Sequence, residues 1–280
     1  MHPDATAKVV LISGASSGIG KEAARTLKKA GAVVDGAARR RERMKDLESD
    51  GIRVLQLDLT DGDSIEACVK SIIEREGRID ILVNNAGYGS YAAIEDVSIS
   101  EARSQFEVNL FGLARLTQAV LPSMRAKRFG RIVNISSIAG KIYTPFGGWY
   151  HATKFALEGF SDCLRLEVEP FGINVVVVEP GGIKTEWGTI AAEHLRKISG
   201  SGAYAQAANQ AADSMLRTYR GDRLSPPSLV AEAIREAVAA RKPRTRYPVG
   251  FGAKPMLILR RWLSDRMFDR VVKRAVAARA

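Results

Sequence analysis

Cysteine is nearly missing from this sequence: Cys68 and Cys163 are the only two among 280 residues, with no CxxC pair and no histidine close to either in the chain. That argues against a disulfide framework and offers no ligand spacing for a metal, so two buried reduced thiols and no metal site are expected. Long hydrophobic runs are missing as well. No stretch approaches the ~20 apolar residues that span a bilayer. Met1-His2-Pro3-Asp4 leads almost directly into Val9-Val10-Leu11-Ile12, without the basic and apolar regions of a secretory leader. A cytoplasmic protein is the expectation. What is present is the balance of an ordinary globular chain, 46% hydrophobic and 26% charged.

The formal charge of +11 is concentrated at one end. Residues 241–280 hold 12 Lys/Arg against Asp265 and Asp269, a net of +10, and the other 240 residues hold 30 against 29, a net of +1. The fold proper is therefore close to neutral. The basic end carries no recognisable nucleic-acid module, so nucleic acid is not an expected partner.

Short apolar runs alternate with helical patterns to about residue 250. Strands are expected at Val9–Ile12, Ala32–Ala38, Val54–Leu57, Ile81–Val83, Arg131–Ile135 and Asn174–Val178. Helices are expected over Ile19–Ala30, near Arg41–Asp50, over Asp63–Glu76, as one long element Ser100–Arg125, and over Tyr150–Glu169. The strand candidates are continuously apolar rather than alternating, as befits a parallel sheet covered on both faces. The prediction is a single-domain α/β Rossmann fold, a doubly wound parallel sheet of about seven strands. Residues 1–252 would form the dinucleotide-binding domain, with the Ala- and Gly-rich segment at about 185–224 as a lid over a site. Residues 253–280 would form a basic amphipathic extension.

Directly after the first strand, Ser13-Gly14-Ala15-Ser16-Ser17-Gly18-Ile19-Gly20 opens a helix with GxxxGxG spacing. Glycines there permit a tight turn and close backbone approach, and the helix N-terminus favours an anionic pyrophosphate. Further on stand Asn84-Asn85-Ala86-Gly87, Asn109, Ser137, Tyr150-His151-Ala152-Thr153-Lys154, and Pro180-Gly181-Gly182 with Thr185. A lone YxxxK means little. The ordered set, over roughly residues 7–250, resembles the short-chain dehydrogenase/reductase family, and its hydroxysteroid and retinol dehydrogenase branch in particular. Ser13 stands where that family usually has Thr, with the hydroxyl retained.

The chemistry such an enzyme needs is a proton donor or acceptor beside the substrate oxygen while hydride moves at carbon. Tyrosine, with an ordinary pKa of ~10, is helped by a nearby cation. Lys154 lies one helical turn from Tyr150 on the same face, and is expected to lower the phenol's pKa. Ser137, at a strand's carboxyl end, can orient the substrate oxygen. The resemblance implies that Lys154 also holds the nicotinamide ribose, that Asn109 holds a water linking Lys154 to solvent, and that Asp58 and Leu59 flank the adenine. It further implies cofactor contacts from Gly14, Ser16, Ser17, Gly18, Ile19, Gly20, Asn85, Ala86, Gly87, Tyr150, Pro180, Gly181, Ile183 and Thr185. An Asn84-Asn85 pair directly after a strand is placed to meet the cofactor.

Cofactor choice rests on the end of the second strand. The acid that would accept a free 2′-hydroxyl falls at Ala38, Asp35 is three residues too early and should point elsewhere, and Arg39 with Arg40 can pair a 2′-phosphate. NADP(H) is expected ahead of NAD(H). Tyr91, Tyr143, Pro145, Phe146, Trp149 and the 185–224 segment are expected to line a pocket for a small apolar ketone, aldehyde or alcohol. The 253–279 segment places apolar residues at helical spacing among arginines. It can pack on the domain or on a second subunit, or dock peripherally on an anionic membrane. A homo-oligomer, dimer or tetramer, is implied by the resemblance alone. Two other readings stay open: a non-catalytic NADP(H)-binding regulator working through the basic segment, and epimerisation or dehydration on the same fold.

Overall fold

The computed structural model describes residues 8–277, with side chains through Arg274; Met1-His2-Pro3-Asp4 and residues 278–280 of the basic extension lie outside the described residues. Seven strands, β1 (Val9–Ser13), β2 (Val33–Ala38), β3 (Arg53–Gln56), β4 (Ile81–Asn84), β5 (Gly130–Ile135), β6 (Ile173–Pro180) and β7 (Arg246–Val249), form one sheet. Their order is β3-β2-β1-β4-β5-β6-β7, and every neighbouring pair is parallel. The α-helices are α1 (Gly18–Lys29), α2 (Lys45–Ser49), α3 (Gly62–Glu76), α4 (Ile99–Phe106), α5 (Leu113–Ala126), α6 (Gly148–Val168), α7 (Trp187–Ser199), α8 (Ala205–Arg220), α9 (Pro227–Ala239), α10 (Ala253–Trp262) and α11 (Asp265–Ala277).

The strands are apolar on both faces because each face meets helices. Successive strand residues point to opposite sides. Val10 and Ile12 pack with Ala23, Ala24 and Leu27 of α1 and with Val230, Ile234 and Ala237 of α9. Val9 and Leu11 pack with Ile65, Val69 and Ile72 of α3, Leu116 and Val120 of α5, and Leu164 of α6. The winding direction reverses between β1 and β4, so their carboxyl ends open the crevice where ligands bind in such sheets.

The structure departs from the sequence expectations in five places. β7 had not been located, because Pro248 breaks its strand pattern; the strand lies at the sheet edge, where a missing N–H is tolerated. The single helix expected over Ser100–Arg125 is two α-helices joined by a π-helical stretch, Glu107–Gly112, which contains Asn109. Near Arg41–Asp50 a 3-10 turn precedes the short α2. The extension is two helices, α10 and α11, broken at Leu263-Ser264 and described to Ala277, and it packs on the domain: Phe268 and Val272 bury against Ile142, with Tyr143, Met256 and Leu263 around them. Cys68 is buried, whereas Cys163, expected to be buried, is exposed; both are free thiols. Among the described residues no helix is long and apolar enough to cross a membrane.

Candidate active site

The β1–α1 loop and the end of β4 are tied together by side chains. The Ser13 hydroxyl accepts from the amides of Asn85 and Ala86, each at 3.1 Å, and the Asn85 side-chain amide donates to the carbonyls of Ser13 and Gly14, also at 3.1 Å. Gly20 completes this knot from behind: a Cβ there would stand 2.3 Å from the Asn85 Nδ2. Gly20 thus shapes the loop without lining the cleft. Asn84 is likewise no cleft residue; it is buried, donating to Thr117 and Asn134. The N-cap of α1, Ser17, makes no side-chain capping bond, and the first turn carries no acid. Free backbone N–H groups therefore face the cleft, an arrangement that suits a phosphate.

Arg39 and Arg40 are exposed at the end of β2 and line the same cleft with Asp58 and Leu59. Burial alone would raise the Asp58 carboxyl, but hydrogen bonds from Thr60 and the Arg39 charge hold it below its ordinary range. Asp35 points away, fully buried and paired with Arg53 and Arg75. Arg43, which the sequence reading passed over, also lines the cleft and pairs with Glu186 at 3.7 Å, linking the β2 side to the covering segment.

At the other end stand Ser137, Tyr150 and Lys154. Lys154 Nζ lies 5.9 Å from the Tyr150 ring centroid and donates to the Ile135 carbonyl at 2.9 Å. The Ser137 hydroxyl donates to the Pro180 carbonyl at 3.4 Å and accepts the Ala139 N–H at 3.1 Å. The expected lowering of the phenol's pKa is not met. Burial pushes Tyr150 above its ordinary value, reinforced by Tyr91 and opposed only by Ser137. Trp187, at 5.1 Å between ring centroids, and Tyr91, at 5.9 Å, flank the ring and exclude water. Burial brings Lys154 itself down to about 8, against the opposing charge of Glu158.

Asn109 does not reach the cleft. Its amide donates to the Tyr88 carbonyl at 2.8 Å and to Thr153 at 3.1 Å, while its Oδ1 accepts the Tyr88 N–H at 3.0 Å. It holds the Gly87-Tyr88 turn against α6, and the π-helical stretch is what aims it there. His151 was missed as a structural member: its Nε2 accepts the Thr144 N–H at 3.2 Å, which leaves Nδ1 to donate to the Ala139 carbonyl at 3.0 Å. This fixes the loop between Ser137 and Tyr150.

The cleft has a volume of about 810 Å³ and takes in every catalytic and cofactor-binding candidate named from the sequence except Gly20, Asn84 and Asn109. Its substrate end is lined by Tyr91, Pro145 and Phe146, as expected, together with Trp187, Met215 and Tyr219 from α7 and α8. Trp187 fits beside Tyr150 only because residue 89 is glycine; a Cβ there would lie 2.4 Å from the indole. Two expected lining residues lie elsewhere. Trp149 packs edge-on against Phe106 at 6.4 Å and borders a separate depression with Ile99 and Phe111. Tyr143 donates to Asp269 of α11 at 2.9 Å and stacks edge-on against Phe268. From the extension, Met256 and Val272 reach the cleft wall.

A family model described as short chain dehydrogenase matches residues 8–195. A 3-ketodihydrosphingosine reductase of Bacteroides thetaiotaomicron is 37% identical over 269 residues, covering 94% of this chain and 95% of that protein. The crystal structure of a short-chain dehydrogenase from Streptomyces avermitilis superposes with a TM-score of 0.79 at 36% identity, over 98% of both chains. Among more distant solved structures are a serine dehydrogenase complexed with NADP+ (TM-score 0.74, 28% identity, 85% of this chain and 93% of that one) and a 3-ketoacyl-(acyl-carrier-protein) reductase from Brucella melitensis complexed with NADH (TM-score 0.71, 26% identity, 85% and 92%). The chain belongs to the short-chain dehydrogenase/reductase family of oxidoreductases.

Proposed function

We propose that this protein interconverts an apolar ketone or aldehyde and its alcohol with NADP(H), using Tyr150 as the general acid/base. The observation that carries the reading is the Tyr150 phenol: buried, held protonated by its surroundings, sharing the cleft with Ser137 and one turn from Lys154, at the apolar end of a cleft whose other end suits phosphates. The glycine loop, the open α1 terminus and Arg39 fit a dinucleotide. A nicotinamide bound there would supply or accept the hydride. In the reducing direction Tyr150 donates its proton to the carbonyl oxygen, Ser137 turns its hydroxyl from Pro180 to the same oxygen, and the Lys154 ammonium stabilises the phenolate left behind. A phenol raised by burial is a weak acid, so in this proposal the Lys154 ammonium has to offset that burial by stabilising the phenolate as the proton leaves.

The preference for NADP(H) rests on Ala38 in place of an acid, with Arg39, Arg40 and Arg43 at that corner of the cleft. NAD(H) is the lesser alternative, since NADH is bound by one of the related structures. For the substrate, the name of the Bacteroides relative points to a ketone on a long alkyl chain. The lining by Ile138, Ile142, Leu195, Met215, Met256 and Val272 suits such a chain. A purely regulatory binder would not need the Ser137–Tyr150–Lys154 cluster. A homo-oligomer and a cytoplasmic location belong to the same proposal; Ile99, Phe111 and Phe155 leave an apolar surface at 58%, 49% and 47% exposure that a second copy could cover.

Tyr150→Phe tests the mechanism. It should still bind NADPH and lose turnover of long-chain ketones by about 10² to 10⁴-fold. Near wild-type turnover in that variant refutes the assignment.

A further inference from the structure

The outward face of the extension is unlike the rest of the surface. On α10, Ile258 and Trp262 stand one turn apart at 58% and 78% exposure, with Leu259 at 39% beside them; on α11, Met267 is 49% exposed. These side chains have no place inside, because the inward faces of the same helices are already filled by Met256, Leu263, Phe268 and Val272 against Ile142 and Tyr143. Among the outward apolar groups sit exposed Lys254, Arg261, Arg266, Arg270, Lys273 and Arg274. Both acids of the segment are spent elsewhere: Asp265 pairs with Arg260 at 2.8 Å, and Asp269 accepts the Tyr143 hydroxyl. None of those six outward cations has an ion-pair partner among the described residues. The inward faces of these two helices reach the cleft wall through Met256 and Val272, and Phe251 and Ile190, at 45% and 56% exposure, stand at its rim.

We propose that α10 and α11 form a docking surface for an anionic lipid bilayer, with Trp262, Ile258 and Met267 entering the headgroup region and the arginines pairing with lipid phosphates. A helix lying in the interface needs apolar and cationic residues side by side, and gains from both. A nucleic acid would use the cations but leave the apolar groups in water. A second copy of the chain would bring two faces of like charge together. Docking here sets the cleft mouth at the bilayer, where apolar carbonyl substrates partition. This inference does not depend on the proposed reaction, because its readout is binding rather than turnover.

The test is sedimentation of the full-length protein with vesicles of pure phosphatidylcholine and of phosphatidylcholine containing one-third phosphatidylglycerol. Binding to the anionic vesicles alone is expected. Arg266→Ala/Arg270→Ala should weaken it by about 30-fold, the effect expected of two basic residues near a charged surface. Trp262→Ser should weaken it as well, and brominated acyl chains should quench a fraction of tryptophan emission that Trp262→Phe removes. None of these residues lines the cleft, so NADPH binding and turnover of a water-soluble ketone serve as the folding control and should not change. Equal binding to both vesicle types, no binding, or wild-type binding by the arginine variant overturns the proposal. So does a preference for duplex DNA over vesicles, or a doubled solution mass that the same substitutions abolish.

Discussion

Phe268→Ala is the most direct way to ask whether the extension is part of the substrate site. Phe268 is fully buried although it belongs to the last helix, outside the dinucleotide fold. Its ring meets Tyr143 edge-on at 5.3 Å, and the Arg260 guanidinium lies 5.5 Å from its centroid. Truncating a buried phenylalanine costs about 3–5 kcal/mol, and the lower end applies here because a seam near the surface can partly collapse. α11 is 13 residues long, a length at which an isolated helix is marginal in water, so little else would hold it in place. A loss of about 3 kcal/mol raises the detached population on the order of 10²-fold. Tryptic cleavage at Arg266 and Arg270 should accelerate by the same factor while opening remains fast relative to cleavage. The main thermal transition should barely move, because neither face of the sheet core contains Phe268. Met256 and Val272 leave the cleft wall together with the helix. The KM for a long-chain ketone should therefore rise, with NADPH binding and the kcat for a short ketone unchanged. Wild-type cleavage rates would refute the packing argument. Faster cleavage with an unaltered long-chain KM would show that the extension packs there without shaping the site.

Three further outcomes follow from the charges. Arg39→Ala should raise the KM for NADPH by about 10- to 100-fold, the worth of a charge-assisted bond to phosphate of ~1.5–3 kcal/mol, and leave NADH nearly unaffected; equal losses with both remove the 2′-phosphate role. Glu158→Gln takes away the one charge that holds the Lys154 ammonium up against burial, so the alkaline limb of the pH–rate profile should move to lower pH, and an unmoved limb contradicts the link. Burial and the Glu158 charge push Glu179 from 4.5 up to about 7, with Arg246 and Lys141 opposing. A carboxyl raised in the folded state binds its proton more tightly there than when unfolded, so stability falls as pH rises from about 4.5 to 7. Glu179→Gln should flatten that part of the Tm–pH curve and stabilise the protein above pH 7, by at most about 3 kcal/mol; an unchanged slope rules the group out.

What the chain shows in one dimension is whatever depends on short range. β1 to β6 are legible because a strand covered on both faces is apolar at most positions, and runs such as Val9–Ile12 or Val175–Val178 have no other use. The loop from Gly14 to Gly20 is legible because its spacing is its function. β7 is not, since Pro248 is tolerated only by an edge that the sequence does not reveal. Trp149 misleads by one residue: on a helix the neighbour of Tyr150 points about 100° away, and here that direction leads to Phe106 rather than into the cleft. Tyr143 misleads differently, because its partner Asp269 lies 126 positions further on.

The phenol itself shows where local reading ends. Spacing puts Lys154 one turn from Tyr150, and from that alone a lowered pKa follows. The sign is set instead by groups the spacing does not contain: Trp187 and Tyr219 arrive from α7 and α8, and Tyr91 from the loop after β4, each removing water from the ring. Lys154 meanwhile spends a hydrogen bond on Ile135. The residues that keep Tyr150 protonated are thus the ones that wall the substrate end of the cleft. A substitution there, such as one that displaces Trp187, should change acid strength and substrate range together, because one layer of side chains controls both.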